Sequence, residues 1–140
     1  MIYPPKPDYS KGEIDRAGRT ACSNDPNSLA YIHAVKVIGE WRVSHGYPMH
    51  TFNVSLRHKA FAIDKKAIVA RRLKRLLTIL DKIGARENDM RLSRMQDVGG
   101  VRAIMSTVDQ VYQLVDYYKE PGRFSHVMKI HHDYIATPKE

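Results

Sequence analysis

Arg71-Arg72-Leu73-Lys74-Arg75-Leu76-Leu77-Thr78-Ile79-Leu80-Asp81-Lys82, followed by Met95-Gln96-Asp97-Val98-Gly99-Gly100-Val101-Arg102, is the stretch on which the fold turns. At about 100° per residue, Leu73, Leu76, Leu77, Leu80 and Ile83 align as one apolar stripe, and Arg71, Lys74, Arg75, Thr78 and Lys82 gather opposite it. That pattern predicts a helix over 65–83. Asp64 is placed to cap it, because a carboxylate can accept the free amides of a first turn, and Gly84 is placed to stop it. The second piece changes character. Val98, Val101, Ile104 and Met105 around two glycines predict a buried strand over 96–105.

Asp97, at the mouth of that strand, lies close in sequence to the cationic helix face. A carboxylate beside several ammonium and guanidinium groups is the combination that holds a polyphosphate and its Mg²⁺. Strict strand alternation would send Asp97 and Arg102 to opposite faces, so a bulge at Gly99-Gly100 is expected to bring them together.

Working outward, residues 1–10 carry Pro4, Pro5 and Pro7 and read as an extended surface arm, pinned by Tyr3 and Tyr9. Helices are predicted over 11–21 and 29–44, with Asn27 or Ser28 as the cap of the second and Gly46-Tyr47-Pro48 as its end. The second helix shows Ile32, Val35, Ile38 and Trp41 at helical spacing. A third helix is expected from Thr51 or Asn53 to Ala62. Downstream, Ala85 to Ser93, with Arg86, Glu87, Asn88 and Asp89 at its middle, reads as a loop. Thr107-Val108-Asp109-Gln110 has capping-box spacing and opens a helix that buries Val108, Val111, Tyr112, Val115 and Tyr118, closed by Pro121-Gly122. Phe124 to Ile130 reads as a second strand.

The fold class that follows is α/β or α+β in a single domain: a helical region over 1–63, then strand, helix and strand within 64–140 that carry the nucleotide-binding motifs. Two strands make a marginal sheet. Either helices cover it closely, or a protein partner or second copy supplies an edge, or further strands follow.

The bulk numbers set the remaining bounds. With 140 residues there is material for one ordinary domain, and a net charge of +8 favours polyanions such as nucleotides or RNA. Cys22, the single cysteine, excludes an internal disulfide, and no apolar run approaches the roughly 18 residues of a membrane span. A cytoplasmic, membrane-free protein is the expectation.

Three motifs in order carry a resemblance. Arg72-x-Lys74-x-x-x-Thr78-Ile79-x-x-Lys82, Asp97-Val98-Gly99-Gly100-Val101-Arg102 and Asp133-Tyr134-Ile135-x-x-Pro138-Lys139 resemble the first half of a RelA/SpoT-type alarmone synthetase domain. The stretch Glu40-Trp41-Arg42-Val43-Ser44-His45-Gly46-Tyr47-Pro48 is similar to the N-terminal region of single-domain members. The resemblance implies a nucleotidyltransferase-like fold with an incomplete mixed sheet, and transfer of pyrophosphate from ATP to the 3′-hydroxyl of a guanine nucleotide. It also implies roles: Arg72, Lys74 and Lys82 on the ATP phosphates and ribose, Thr78 in place of the family's serine, Arg102 on the nucleotide, Lys139 closing the third motif, and Asp97 as catalytic Mg²⁺ ligand. Toxin-like members aim the same donor chemistry at the 3′ end of tRNA. The family's later Gly-Tyr-Arg-x-x-His segment and second acidic residue are not among these 140 residues, so turnover is expected to be crippled, and a non-catalytic binding fragment is the rival from another class.

His132 stands where the family has lysine, and a neutral imidazole holds phosphate less firmly than an ammonium. His131-His132-Asp133 does not read as a metal site, because strand neighbours point to opposite sides. His45, His50, His58, Trp41 and the tyrosines read as packing or rim residues, and Cys22 as inert.

Overall fold

Serine side chains start the first two helices. The computed structural model describes residues 5–85 and 90–139, so the expectations for Tyr3, Pro4 and Arg86 to Asp89 lie outside the described residues. Ser10 opens α1 (Lys11–Ser23) with a reciprocal capping box to Glu13, and Ser28 opens α2 (Leu29–Ser44) by accepting the Tyr31 amide at 3.1 Å. The α2 bounds match the expectation. Its buried stripe is Ala34, Val37 and Ile38 with Trp41 partly covered, while Ile32 is exposed, one step round the helix from the expected face.

Gly46-Tyr47-Pro48 does end α2, but it also begins α3 (Gly46–Ile63), which starts ahead of the expected Thr51 or Asn53. Pro48 sits in the first turn, where a missing amide costs no helical hydrogen bond.

The predicted helix over 65–83 is corrected into two elements: strand β1 (Ile68–Leu73) and helix α4 (Leu76–Ala85). Adjacent β-branched Ile68 and Val69 favour the strand, and pairing with a distant segment outweighs the helical propensity of Ala70 to Leu73. Asp64 does not cap this helix. Its carboxylate instead accepts from the Lys66 amide and from both the amide and hydroxyl of Ser106, which ties the start of β1 to the end of β2.

β2 (Gly99–Ile104) runs antiparallel to β1, from Leu73↔Gly99 to Ile68↔Ile104, one residue against one throughout. The bulge expected at Gly99-Gly100 is therefore absent. A 3-10 turn at Leu92–Arg94 precedes β2, and α5 (Val108–Lys119) follows it, opened by the Thr107/Gln110 capping box read from the sequence. Leu114 is the buried residue of α5; Val108, expected to be buried, is exposed. The strand expected over 124–130 does not form: β1 and β2 pair only with each other among the described residues, and Val127, Met128 and Ile130 are exposed. Extended backbone without a partner ladder has no bonds to hold it as a strand.

The architecture is α+β, and its sheet is an antiparallel pair rather than a mixed one. Two packed clusters support it. Ile14, Val37, Ile38, Ile79, Leu92, Met95 and Val98 join α1, α2, α4 and the approach to β2, while Ala60, Ala67 and Leu114 join α3 and α5 to the inner sheet face with Val69 and Ala103. Ile38 and Ile79 are fully covered, each stabilising the fold by about 2–3 kcal/mol of apolar burial. No helix among the described residues is long and apolar enough to cross a membrane.

Candidate functional site

The strand pair sorts its side chains by alternation. Val69, Leu73, Val101 and Ala103 share the face packed toward the helices, whereas Ala70, Arg72, Gly100 and Arg102 share the outer face. Register then sets cations against small residues: Arg102 lies opposite Ala70, and Arg72 lies opposite Gly100. Two guanidinium groups thus rise diagonally from a low floor.

Lys74 continues this outer row one step beyond the ladder. Its amide donates to the Val98 carbonyl at 2.7 Å, which holds the chain beside the turn that carries Asp97. The Lys74 ammonium then donates to Asp97 Oδ2 at 2.9 Å, and Lys82, reaching over from α4, donates to Oδ1 at 3.4 Å. Ile79, fully buried between α1 and α2, anchors the α4 turn from which Lys82 projects.

Asp97 sits in the turn before β2, not in the strand, so the alternation that would have parted it from Arg102 does not apply. The resulting cleft, about 460 Å³, is lined by Ala70, Arg72, Lys74, Asp97, Gly100 and Arg102 together with backbone neighbours. The Lys74 hydrogen bond holds the Asp97 carboxyl below the usual carboxylate range; partial burial opposes this, and the charges of Lys74 and Lys82 add to it. Two lysines thus converge on one carboxylate, in a cleft whose other charged walls are arginines.

Residues 71–140 match the profile of a family described as "Region found in RelA / SpoT proteins". The chain belongs to this family. It is a family of alarmone synthesis or hydrolysis, with nucleotide substrates. No curated protein sequence matches the chain.

Of the positions drawn from the RelA/SpoT motifs, the fold brings Arg72, Lys74, Lys82, Asp97 and Arg102 to one place. Thr78 is exposed on the first turn of α4, four residues before Lys82 and so on its face. Lys139 lies elsewhere, in the irregular segment after α5, with its ammonium 5.6 Å from the Tyr134 ring centroid. His132 stacks on the same tyrosine, and among the described residues no group of three or more His, Cys, Asp or Glu side chains is placed to hold a metal ion. Sequence reading missed the floor residue Ala70 and the hydrogen bond from Arg42 to the Lys74 carbonyl. Alternation through 68–73 carries a signal for the first. Nothing local in the sequence points to the second.

Proposed function

We propose that the cleft binds the triphosphate of ATP and that the domain transfers pyrophosphate from ATP to the 3′-hydroxyl of a guanine nucleotide. The observation that carries this reading is the convergence of Lys74 and Lys82 on Asp97 at the end of a sheet face bearing Arg72 and Arg102. In pyrophosphoryl transfer the acceptor oxygen bonds to the β-phosphorus as the bond to the α-phosphate oxygen breaks and AMP leaves. Charge gathers on the phosphate oxygens, and fixed cations are what stabilise it.

In this reading Lys74 and Lys82 leave Asp97 for the incoming phosphates, and Arg72 and Arg102, planar cations above Ala70 and Gly100, bracket the ribose and base. The freed Asp97 carboxylate fits Mg²⁺, which is commonly held by one or two carboxylates with phosphate oxygens and water completing its shell. Mg²⁺, when bound there, would offset the negative charge of the phosphates. Thr78 supplies a hydroxyl at the N-terminal turn of α4, where amides also face outward.

Asp97 is the one carboxylate lining the cleft among the described residues. With no second acid among the described residues of the cleft to draw the proton from the acceptor hydroxyl, the site binds nucleotide better than it turns it over.

Titration calorimetry with ATP, with and without Mg²⁺, tests the binding. Radiolabelled ATP offered with GDP, GTP or tRNA identifies the acceptor. A labelled tRNA product would move the reading to the tRNA 3′ end. Binding without any product would leave a nucleotide-binding domain, and no binding at all would remove the proposal.

A further inference from the structure

The side chain of Arg42 crosses from the last turn of α2 to the end of β1, where its Nε donates to the Lys74 backbone carbonyl at 2.5 Å. Lys74 is the first residue past the final ladder pair, Leu73↔Gly99, the place where a strand end is free to fray. It is held there from two sides: its amide by the Val98 carbonyl at 2.7 Å, its carbonyl by Arg42. Arg42 is half-buried and forms no ion pair with a carboxylate among the described residues. A guanidinium kept partly from solvent for a single carbonyl has its main polar contact in that bond.

The same end of α2 also abuts the opposite strand. A side-chain carbon placed on Gly99 would meet His45 Cβ at 3.6 Å, so α2 closes against the first residue of β2 as well as against Lys74. Lys74 and Gly99, where the two strands meet at the cleft, are thereby both seated on one helix terminus.

We propose that Arg42 is a positioning residue for the cleft: it fixes the Lys74 backbone where the ammonium reaches Asp97 and, on the nucleotide reading above, a bound triphosphate. The helical region before residue 71 then takes part in the site and is more than a cover for the core. A lysine has four rotatable carbons and loses rotamer freedom when it binds, so a fixed backbone origin reduces what must still be ordered.

Two measurements test this, one of them without nucleotide. Amide hydrogen exchange in Arg42→Ala should speed the Lys74 amide by about tenfold while Ile38 and Ile79 keep their rates, as local opening predicts. The exposed Lys36 on the same helix gives the control Lys36→Ala, which should change neither. ATP affinity should fall about tenfold in Arg42→Ala but by less than about twofold when the change is made in a Lys74→Ala background, the signature of coupled residues. Should Arg42→Ala fail to fold, Arg42→Gln, whose amide stops short of the carbonyl, takes its place with the same expected results. An unchanged Lys74 amide, core amides accelerating together with it, or equal ATP losses in both backgrounds would overturn the proposal. If the unmutated chain binds no ATP, the nucleotide reading fails, and the exchange rates alone decide whether Arg42 holds Lys74.

Discussion

Replacing Asp97 by asparagine should have opposite effects on ATP binding with and without Mg²⁺. In the free cleft Lys74 and Lys82 are both occupied by the Asp97 carboxylate, and each must release it to meet a phosphate. Partly exposed ion pairs are worth about 0.2–1 kcal/mol each. The Lys74 pair, at 2.9 Å with the lysine only 15% exposed, belongs near the top of that range, and the Lys82 pair, at 3.4 Å, near the bottom. Together they oppose phosphate binding by about 1 kcal/mol, a factor of about five in Kd. Asp97→Asn removes that competition and one negative charge, so ATP in the presence of EDTA should bind about fivefold more tightly than to the unmutated chain. With Mg²⁺ the order reverses, because the asparagine amide gives the ion a weaker ligand and the gain on adding metal disappears. Calorimetric titration of both proteins under both conditions reads all four affinities. Weaker binding by Asp97→Asn in EDTA, or a Mg²⁺ gain that survives the substitution, would refute the reasoning.

Lys74→Ala and Arg102→Ala should each weaken ATP binding by at least about tenfold, the worth of a charge-assisted bond to phosphate, and fluorescence competition would show it. Gly100→Val places a branched side chain on the cleft floor opposite Arg72, where no atom stands within 4 Å, so the melting temperature should hold or rise while ATP affinity drops. Ile79→Ala, at a fully buried site, should cost about 3 kcal/mol, or roughly 10 °C in Tm for a chain of this length, read by calorimetry or circular dichroism. Acid stability should depend on Asp64, whose carboxyl is held below its ordinary value chiefly by the Ser106 hydroxyl and by the Lys66 and Ser106 amides. A depressed folded-state value means the stabilisation is present above the ordinary carboxylate value and is lost as pH falls through the lowered one. Urea midpoints of the unmutated chain should therefore fall between neutral and strongly acid pH, and Asp64→Asn should flatten that decline.

Local chemistry was legible at the starts of α2 and α5, where a side chain acts on its own neighbours, but not at Asp64, whose carboxylate binds Lys66 and Ser106 rather than a helix start. Asn27 or Ser28 as a cap, with Val35, Ile38 and Trp41 at helical spacing, marked α2 because capping and periodicity need only nearby residues, although Ile32 from the same reading is exposed, and Thr107 with Gln110 marked α5 for the same reason. The segment 65–83 was not legible in this way. Its leucines and arginines satisfy a helical wheel, yet Ile68 to Leu73 gain more by pairing with Gly99 to Ile104, a partner that no local window contains. The error reorders the site as well: Arg72 and Lys74 share a face through strand alternation, and Lys82 joins them from a separate helix. Asp97 and Arg102 were marked by their motif and line one cleft, and the supposed conflict between them vanished once Asp97 fell in a turn. The segment 124–130 has strand-like residues but pairs with no strand among the described residues, and Arg42 acts through a contact across 32 positions.

The central claim, that this cleft takes the nucleotide, is tested most directly by following backbone amide signals of the labelled chain as ATP and Mg²⁺ are added. Gly99 and Gly100 line the cleft, and their amides should shift along a saturating curve, with Gly39 and Gly122 on other surfaces unmoved. Saturating shifts confined to other surfaces, or none at the two cleft glycines, would contradict the account.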